Sequence, residues 1–535
     1  MKRVVLFIAT LLVACLTAKA DVASVVVPRP LVCEMESGEF ILSSRTPIYV
    51  ETKDLVAPAT IFADYVDGFV GGKLKIRCAA HRKGAINLAV DSKLATEEYT
   101  LHIAPQRIVI KGGSESAVFY GLQSLRQIVA ASNKSGKGLA IAAMKIADKP
   151  HFGYRGAMLD VCRHKFTVDE VKQYIDILAL HKINRLHWHL TEDQGWRIEI
   201  KRYPELSQIG AYRKETLVGK YRQSTTYDGK PYGGIFTQDE VREVVRYATE
   251  RYIDVIPEIE MPGHAVAALA TYPHLGCTGG PYEVRTTWGI SKEVFCAGKE
   301  STFEFLENVL TEVLDLFPSK YIHIGGDECP KDAWKLCAAC QKRIADEGLK
   351  DEHQLQSYFM QRMERWLNER GRNIIGWDEI LQGGITQSAT IMSWRGTKGG
   401  IAAAKLGNDV IMTPNTYCYI DYYQTSDPVA NKEPLGNGRR PIPLARTYSF
   451  DPYEGLNEVE RGFIKGVQVN LWTEYISTFD HVQHMLLPRL AAISEVGWSY
   501  PRKDYSDFAR RMHILRKLYD HEQWNYAPYF FNGIE

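Results

Sequence analysis

The chain has 535 residues, of which 45% are hydrophobic and 24% charged, a composition that is typical of a globular enzyme and excludes a mostly disordered chain. Its 65 basic and 64 acidic side chains leave a net charge of +1, which argues against nucleic acid or an anionic membrane surface as the main partner. At roughly 150 residues per domain, this length predicts two to four domains, or one large α/β barrel with a companion domain.

Residues 1–20 have the pattern of a secretory signal peptide. Lys2 and Arg3 supply the positive start, and Val4–Val13 is an apolar run that is too short to span a bilayer. Ala18–Ala20 offers the small-residue cleavage pattern. The sequence therefore predicts an exported protein, either periplasmic or secreted, and no later apolar run is long enough to predict a transmembrane helix.

A second processing route competes with this one, because Leu12–Cys15 resembles a bacterial lipoprotein box. Processing there would leave Cys15 as a lipid-bearing residue and anchor the protein to the outer membrane. Ordinary cleavage after Ala20 is the favoured interpretation, and the lipid anchor at Cys15 stays open as the alternative.

Nine cysteines follow the signal segment, and an odd number means that at least one thiol stays unpaired if export brings disulfides. Cys277 and Cys296 flank a Gly- and Thr-rich loop, and a bridge between them would stabilise the fold by about 3 kcal/mol. A zinc site needs four ligands, and no fourth ligand is obvious beside the next three cysteines, so structural thiols or a local disulfide are favoured there. These three are Cys329, Cys337 and Cys340.

Residues 21–150 predict a small α+β domain. Two runs rich in β-forming residues are joined by Ala104–Gln106 and predict a hairpin. A later segment has apolar residues at helical spacing, and a polar loop follows it. The predicted elements are strands at Glu39–Leu42, Pro47–Val50, Tyr99–Ile103 and Arg107–Ile110, a helix at Ala117–Ala130 and a loop at Ser132–Gly138.

From residue 151 onward, short apolar strands alternate with amphipathic helices, two of which begin with the capping boxes Thr167–Glu170 and Thr237–Glu240. Eight strand-then-helix units over about 350 residues predict a (β/α)8 barrel of the TIM type, followed by a C-terminal helical tail up to residue 535. No Gly-x-Gly-x-x-Gly follows a strand, which disfavours an open doubly wound sheet. The predicted strands are Tyr154–Val161, Ile183–Leu190, Ile253–Glu260, Tyr321–Glu328, Asn373–Glu379, Ala389–Trp394, Asp409–Thr413 and Val467–Trp472.

Every predicted barrel strand ends in or runs into polar residues, at the edge where barrels of this type carry their reacting groups. Eight such ends in register are hard to explain as structure alone, because buried charges cost several kcal/mol unless they are paired. The fourth end, His323–Glu328, has two glycines that would let the backbone approach a ligand closely, followed by Asp327 and Glu328. Neighbours on a strand point opposite ways, so this pair cannot flank a sugar as acid and nucleophile. If the protein is a glycosidase, one carboxylate would protonate the leaving oxygen, and the other would have a different role, such as orienting a group on the substrate.

A metal-dependent hydrolase on the same barrel is a competing hypothesis. His187 and His189 face one way on their strand, and His264 and Asp327 could complete a metal site. The fifth and sixth strand ends carry tryptophan in place of further ligands. The sequence therefore favours a site without a metal or another cofactor.

Several segments, in order, resemble the β-N-acetylhexosaminidases of glycoside hydrolase family 20. His323–Glu328 resembles the H-x-G-G-D-E signature of that family. The resemblance extends over residues 149–499, and residues 21–150 resemble, more weakly, the small α+β domain that precedes the barrel in the family. The other matching segments are Leu159–His164, His187–Leu190, Asp193–Trp196, Pro257–His264, Gly376–Trp377, Trp394, Tyr419 with Asp421, and Leu471–Glu474.

The resemblance implies an exo-acting enzyme that removes terminal β-linked N-acetylglucosamine or N-acetylgalactosamine, and an exception to the two-carboxylate scheme. In the mechanism that the resemblance implies, the acetamido oxygen of the substrate would attack C1, Glu328 would be the general acid and then the base, and Asp327 would bind the acetamido N–H. The implied substrate-binding residues are Trp377, Trp394 and Trp472 around the acetyl methyl, Tyr419 on the acetamido oxygen, Arg163, Asp421 and Glu474 on the hydroxyls, and His264 with Glu192 and Asp193 in support.

The sequence departs from the family pattern at Glu192 and Glu260, where relatives often have aspartate. Both keep the charge and add one methylene, which leaves the geometry of the support open. Two further alternatives stay open: release of a lacto-N-biose disaccharide, and a non-catalytic sugar-binding protein. The intact Asp327–Glu328 pair argues against the binding protein. The carbohydrate partner is therefore predicted as a terminal N-acetylhexosamine, with the choice between the two sugars unresolved.

Overall fold

A computed structural model of the protein describes residues 25–534 apart from residues 137 and 439. The predicted signal segment, with Cys15, lies outside the described residues. Within them, no helix combines the length and the apolar character needed to cross a membrane.

The N-terminal domain is one mixed sheet with two helices that pack on each other and on the sheet. Its strand order is β1-β8-β5-β6-β4-β2-β3, with β7 beside β8. The strands are β1 (Val32–Leu42), β2 (Ile48–Val50), β3 (Ile76–Cys78), β4 (Ile86–Val90), β5 (Tyr99–Ala104), β6 (Arg107–Gly112), β7 (Asn133–Ser135) and β8 (Gly138–Asp148), and the helices are α1 (Val56–Val70) and α2 (Glu115–Ala131).

The structure confirms the predicted hairpin, which is the antiparallel pair β5 and β6, and the predicted helix, which is α2. The predicted loop at 132–138 is wrong in part, because it contains β7. The first strand is longer than predicted: its amino-terminal half is mostly exposed, so it lacks the apolar pattern that marks a strand. An irregularity between Met35 and Glu39 also breaks its alternation.

Eight parallel strands close into a barrel in the order β10-β15-β16-β17-β18-β19-β20-β9, as the sequence predicted. After the first two barrel strands come two small antiparallel pairs, β11 with β12 and β13 with β14. The strands are β9 (Tyr154–Asp160), β10 (Arg185–His189), β11 (Thr191–Glu192), β12 (Gly195–Trp196), β13 (Tyr212–Arg213), β14 (Tyr232–Gly233), β15 (Asp254–Met261), β16 (Tyr321–Gly325), β17 (Asn373–Trp377), β18 (Thr390–Ser393), β19 (Val410–Met412) and β20 (Ile464–Leu471).

The helices of the barrel and its tail follow the predicted alternation, and both predicted capping boxes are present, at Thr167 and Thr237. The helices are α3 (Val168–Leu180), α4 (Gln238–Thr249), α5 (Val266–Thr271), α6 (Glu300–Leu316), α7 (Asp332–Leu336), α8 (Ala338–Asp346), α9 (Glu352–Asn368), α10 (Lys398–Leu406), α11 (Leu444–Ser449), α12 (Glu458–Arg461), α13 (Phe479–Leu486), α14 (Arg489–Ser499), α15 (Tyr505–His521) and α16 (Tyr529–Asn532).

Several barrel strands end earlier than predicted at their carboxyl ends. The fourth, β16, stops at Gly325, three residues before Glu328, and the fifth, β17, stops at Trp377 and passes into a short 3-10 turn. The polar residues at these ends have left the hydrogen-bonded ladder. They are therefore free to take the backbone conformations that aim their side chains over the mouth of the barrel.

The buried carboxylate of Asp148 joins the two domains. It lies at the end of β8 and accepts hydrogen bonds from Tyr99 Oη at 2.8 Å, Trp498 Nε1 at 2.9 Å and Lys182 Nζ at 3.1 Å. Tyr99 belongs to the N-terminal domain, whereas Lys182 and Trp498 belong to the barrel. The Lys182 side chain is fully buried, so this ion pair depends on complete pairing to offset the loss of water.

We expect Lys182→Met to lower the free energy of unfolding by about 3–5 kcal/mol, since it leaves a buried charge without its counter-ion. Urea unfolding measures the change. Lys342→Met is the matched control, because Lys342 pairs with Asp346 on an exposed helix face and should change stability by about 0–1 kcal/mol. Equal losses in the two variants would contradict the importance of this contact.

Candidate active site

A cavity opens at the carboxyl ends of the barrel strands, where the sequence predicted the site. Nine of the twelve predicted site residues line it, and so do Tyr422 and Asn437, which the sequence analysis did not identify. The nine are Arg163, Glu192, His264, Asp327, Glu328, Trp394, Tyr419, Trp472 and Glu474. Asp193, Trp377 and Asp421 lie behind this lining, and all three are buried.

The base of the cavity rests on the buried carboxylate of Glu258. Its Oε2 accepts hydrogen bonds from His187 Nε2 at 2.9 Å and from His189 Nδ1. Its Oε1 accepts one from Trp377 Nε1 at 2.8 Å and lies 2.7 Å from His323 Nδ1. The side chains come from β10, β15, β16 and β17. One acceptor therefore holds four adjacent strand ends in register beneath the site.

This network explains the two histidines that suggested a metal site. His187 uses Nε2 as a donor to Glu258 and accepts a hydrogen bond from Gln468 at Nδ1, and burial lowers its pKa to about 4, which leaves it neutral. Burial opposes the charge on His189, but the carboxylates of Glu258, Glu192 and Asp160 together outweigh burial and raise the pKa of His189 to about 10. Among the described residues, these two side chains do not gather with His264 and Asp327 into one group of donor atoms.

The turn after β16 sets the direction of the two candidate catalytic carboxylates. Gly325 and Gly326 have φ values of 62° and 97°, and a Cβ at these positions would lie 1.7 Å from a Glu260 oxygen and 2.3 Å from Ile380. From sequence, these glycines are expected to let the backbone approach a ligand closely. The structure corrects this: the close approach is to neighbouring side chains beneath the turn.

Asp327 and Glu328 follow on this turn and do not lie on a strand, so the expectation of opposite directions is wrong. Glu328 has a left-handed φ of 40°, a conformation that costs about 1–3 kcal/mol outside glycine. Asp327 Oδ2 and Glu328 Oε2 both lie 3.6 Å from Nε2 of His264. The strained turn therefore brings adjacent carboxylates to one side of the cavity.

His264 connects this pair to the wall of the barrel. Its Nδ1 donates to Glu192 Oε1 at 2.8 Å, and Glu192 Oε2 lies 3.3 Å from the Arg163 guanidinium. Glu260, which precedes His264 by four residues, makes no hydrogen bond to it, because both of its oxygens lack a partner among the described residues. His264 also has a left-handed φ, of 49°. Its ring is thus fixed at one nitrogen while the other faces Asp327 and Glu328.

Burial and neighbouring charges shift the pKa values of Asp327, His264 and Glu260. It is the main reason that the pKa of Asp327 rises to about 6, although the charge of His264 opposes the rise. Burial alone would lower the pKa of His264, but Glu192 and Asp327 raise it well above its usual value. Burial and then the negative charge of Asp327 raise the pKa of Glu260 well above the ordinary range. A charged imidazolium therefore stands between carboxylates over a neutral Glu260.

Four aromatic side chains enclose one side of the cavity. The rings of Trp377 and Trp472 lie 5.9 Å apart, those of Tyr419 and Trp472 6.3 Å apart, and those of Trp394 and Tyr419 6.0 Å apart with nearly parallel planes. Trp377 forms the back of this box, and its indole is anchored on Glu258. The box offers flat apolar faces together with one phenol hydroxyl.

The opposite side of the cavity is polar and has unused acceptors. Both carboxylate oxygens of Asp421, Oε2 of Glu474 and Oδ1 of Asp327 are buried and accept no well-aligned hydrogen bond from the described residues. Burial raises the pKa of Asp421 well above its usual range and also raises that of Glu474. An unpaired buried acceptor costs about 1–3 kcal/mol, so the site is built for a ligand with several hydroxyl or N–H donors.

Asp193 has a supporting position. It accepts hydrogen bonds from the backbone N–H of Val266 at 3.1 Å and from Arg285 Nη1 at 3.0 Å, and it lies 3.9 Å from Nδ1 of His264. Its expected substrate contact is therefore replaced by a contact with the segment that carries His264. Asn437 could not be found from sequence, because its loop reaches the cavity only by pairing with Tyr422.

Comparison with models of known protein families identifies the family to which both domains belong. The model described as glycosyl hydrolase family 20, catalytic domain, matches residues 152–501, and that of domain 2 of the same family matches residues 23–149. The chain belongs to glycosyl hydrolase family 20. It is accordingly a glycoside hydrolase, and its barrel, with the domain that precedes it, has the architecture of that family.

Individual relatives agree with the family assignment. The chain is 45% identical over 497 residues to a beta-hexosaminidase of Porphyromonas gingivalis, a match that covers 91% of the chain but only 62% of that relative. It is 34% identical over 436 residues to a beta-hexosaminidase of Akkermansia muciniphila, covering 81% of the chain and 84% of the relative.

Solved structures of family 20 have the same fold. An exo beta-N-acetylglucosaminidase from Vibrio harveyi, in complex with N-acetylglucosamine, superposes with a TM-score of 0.83 at 29% identity, covering 94% of this chain and 78% of that one. A beta-N-acetylhexosaminidase from Streptomyces coelicolor superposes with a TM-score of 0.82 at 30% identity, covering 94% and 97%.

Because the pKa of Asp327 is raised, its negative charge is expected to lower the free energy of unfolding. The folded state binds the proton more tightly than the unfolded chain, whose pKa is near 3.8, so this contribution to stability is complete below pH 3.8 and is lost as pH rises through about 6. We expect Asp327→Asn to be more stable than the natural protein by about 1–3 kcal/mol at pH 7.5. The difference should shrink toward pH 4.

Denaturant unfolding at several pH values measures this difference. Asp315→Asn, at an exposed position of α6, is the control and should show no comparable pH-dependent gain. Loss of stability in Asp327→Asn at pH 7.5 would show that the native carboxylate is fully compensated by His264.

Proposed function

We propose that the cavity hydrolyses terminal, non-reducing β-linked N-acetylglucosamine or N-acetylgalactosamine from oligosaccharides or glycoconjugates, with the acetamido group of the substrate as the nucleophile. The observation that carries the proposal is the adjacent pair Asp327–Glu328 on one imidazole, beside a box of aromatic rings. Relatives named beta-hexosaminidase support it, as does the solved family 20 structure in complex with N-acetylglucosamine.

Glu328 is proposed as the general acid and base. Its side chain is 32% exposed against 11% for Asp327, and it lies between the main cavity and a second one lined by Ile290 and Arg395. The sugar then occupies the main cavity and the leaving group occupies the second. Glu328 gives its proton to the glycosidic oxygen as the bond to C1 breaks, and later takes a proton from the attacking water.

Asp327 is proposed to orient the nucleophile. Its Oδ1 has no donor within the described residues and is available to the acetamido N–H. As the acetamido oxygen bonds to C1, positive charge develops on the acetamido group, and the carboxylate stabilises it. With a pKa of about 6, Asp327 is ionised at neutral pH and can do so. Tyr419 would donate to the acetamido oxygen, and the tryptophan box would hold the methyl.

The polar side of the cavity is proposed to hold the ring hydroxyls. Asp421 and Glu474 supply acceptors without partners, and Arg163 supplies a guanidinium fixed by Asp160 and Glu192. Tyr422 and Asn437 add further lining beside Glu474. These groups favour a pocket that takes a single terminal sugar, in preference to the disaccharide release considered from sequence.

A nucleophilic carboxylate is disfavoured by the same geometry. Two-carboxylate retention needs groups about 5–5.5 Å apart on opposite faces of the sugar. Asp327 and Glu328 share one histidine on one side, and the raised pKa values of Asp421 and Glu474 make those groups poor nucleophiles. The remaining nucleophile in reach of C1 is the acetamido oxygen of the substrate.

We expect the 4-nitrophenyl β-glycosides of N-acetylglucosamine or N-acetylgalactosamine to be cleaved, and the plain glucoside not to be cleaved. Replacing the acetyl methyl hydrogens with fluorine, one at a time, should slow the reaction further with each fluorine, because fluorine makes the amide oxygen a weaker nucleophile. Comparable cleavage of the glucoside would mean that an enzyme carboxylate attacks C1, and the mechanism would be wrong. Release of 4-nitrophenol measures all of these rates.

Two variants separate the roles of the pair. Asp327→Ala should lose about 10²–10³-fold in kcat for every N-acetyl substrate. Glu328→Gln should lose about 10²–10⁴-fold with a poor leaving group and much less with a good one, since protonation helps a poor leaving group most. Asp346→Asn, on the exposed face of α8, is the control. A leaving-group-independent loss in Glu328→Gln would contradict the role as acid.

We further propose that the enzyme is exported and shortens polysaccharide or glycan chains outside the cytoplasm. The support is the signal-like pattern of residues 1–20, with the lipid anchor at Cys15 as the alternative route. Amino-terminal sequencing of the mature protein from the native cell decides between them. A start at Asp21 supports ordinary cleavage, a blocked start at Cys15 supports the anchor, and an intact Met1 overturns export.

A further inference from the structure

Four cysteines meet on the side of the barrel next to the active site. Cys277 and Cys296 border the segment that follows α5, and Cys337 and Cys340 lie at the start of α8. Their sulfur atoms all lie within 4.8 Å of one another. Cys296 and Cys340 are fully buried. The two further ligands that Cys337 and Cys340 would need therefore come from a loop more than 40 residues upstream.

The spacing of the sulfur atoms is that of a tetrahedral metal site. The contacts are 3.5 Å between Cys296 and Cys340, 3.7 Å between Cys296 and Cys337, and 3.8 Å between Cys277 and Cys340. Zinc–sulfur bonds of about 2.3 Å in a tetrahedron place the sulfur atoms about 3.8 Å apart. Cys296 and Cys340 each contact two other sulfurs, an arrangement that a pairwise disulfide scheme does not require.

The surroundings suit a group of thiolates. The backbone N–H of Gly298 donates a hydrogen bond to the Cys296 sulfur, and Cys337 and Cys340 lie at the positive amino end of the nine-residue helix α8. Lys299 donates to the carbonyl of Gly276 at 2.7 Å, which places a cation next to Cys277. Such contacts around the ligands offset the negative charge of a tetrathiolate zinc centre.

The two halves of the cluster also pack through bare backbone. A Cβ at Gly298 would lie 2.1 Å from the Ala339 carbonyl carbon and 2.4 Å from the Cys340 nitrogen. Only glycine at this position allows the loop that carries Cys296 to approach the first turn of α8. The close approach brings cysteines from distant parts of the chain together by backbone contact alone, before any bond between the sulfurs.

We propose that Cys277, Cys296, Cys337 and Cys340 bind one zinc ion in a tetrahedral thiolate site that clamps the loop after β15 to the loop after β16. Closed four-cysteine sites of this kind are structural and leave no position for substrate. The clamped segments touch the catalytic loops. Phe295 donates from its backbone to Pro262 at 2.9 Å, and Trp334 Nε1 donates to Phe295 at 2.9 Å.

The clamp thus acts at a distance on the positions of His264 and Glu328. Arg285, within the segment between Cys277 and Cys296, holds Asp193 at 3.0 Å, and Asp193 in turn binds the start of α5 just after His264. Ile290 of the same segment lines the second cavity beside Glu328. Loss of the metal should loosen this segment and lower stability and turnover, without removing any group that contacts the sugar.

The test is the metal content of the full-length protein, purified without a polyhistidine tag and without chelator. Inductively coupled plasma mass spectrometry should find one zinc per chain in the natural protein. Cys296→Ser and Cys337→Ser should bind less than a tenth of this amount and unfold at a lower temperature. Cys329→Ser is the matched control and should keep its zinc, because Cys329 precedes Cys337 by eight residues but is not a member of the cluster.

Cobalt provides a readout that does not depend on the variants folding. The natural protein refolded or expressed with Co²⁺ should show a thiolate-to-cobalt charge-transfer band in the near ultraviolet and tetrahedral visible bands. Absence of both zinc and this spectrum would overturn the proposal. So would full zinc occupancy in a folded Cys337→Ser variant, or stoichiometric iron in place of zinc.

Thiol counting tests the disulfide alternative directly. The natural protein is denatured and alkylated without reductant, and its mass is measured. All four cysteines should be alkylated once a chelator has removed the metal. Two disulfides among the four, together with a lack of zinc, would overturn the proposal. None of these measurements depends on the glycosidase activity, so the two proposals fail or stand separately.

Discussion

The arrangement of the active site depends on the contacts of one buried carboxylate, that of Glu258. It gathers His187, His189 and Trp377 as donors and has His323 at 2.7 Å, so it fixes the ends of adjacent barrel strands in one arrangement. A charge this deep is tolerated only because every side of it is paired. The two β10 histidines differ in charge because His189 faces a carboxylate at each nitrogen, Glu258 and Glu192, whereas His187 has Gln468 at its second nitrogen.

Above this foundation, the site holds charges and strain that the fold alone does not need. Glu328 and His264 adopt left-handed backbone conformations, and Asp421, Glu474 and Asp327 have buried oxygens without donors. Each of these features lowers stability by about 1–3 kcal/mol. A sugar with hydroxyl groups and an acetamido N–H would supply the missing donors. Part of the binding free energy of the substrate therefore comes from hydrogen bonds to buried oxygens that otherwise lack a donor.

Rigidity around the site comes from the loops that flank it. The segment between Cys277 and Cys296 reaches Asp193 through Arg285 and lines the leaving-group cavity through Ile290. Long loops of this kind are mobile unless something ties them down. The cysteine cluster ties this one to α8 by packing and, in our proposal, by a metal. Positioning of His264 and Glu328 is thus shared between the barrel beneath them and the loops beside them.

The sequence by itself determined the barrel, its preceding domain and most of the site residues. The reason is that alternation of strands and helices is a local pattern, and that polar residues at strand ends are visible in the chain before it folds. The segment His323–Glu328 and the three tryptophans could be placed for the same reason. The exact ends of the strands could not be predicted. Asp327 and Glu328 leave the ladder through a turn in which only glycine fits against Glu260 and Ile380, and these close approaches exist only in the folded chain.

Only the tertiary structure decided which partners these residues have. It paired His264 with Glu192, placed Asp193 behind the cavity wall, and brought Asn437 into the lining from a loop without a distinguishing motif. It also joined four cysteines from two distant segments. Each of these contacts links residues that are tens or hundreds of positions apart, and nothing in the local spacing of a chain encodes such a distance; it is set by how the barrel closes.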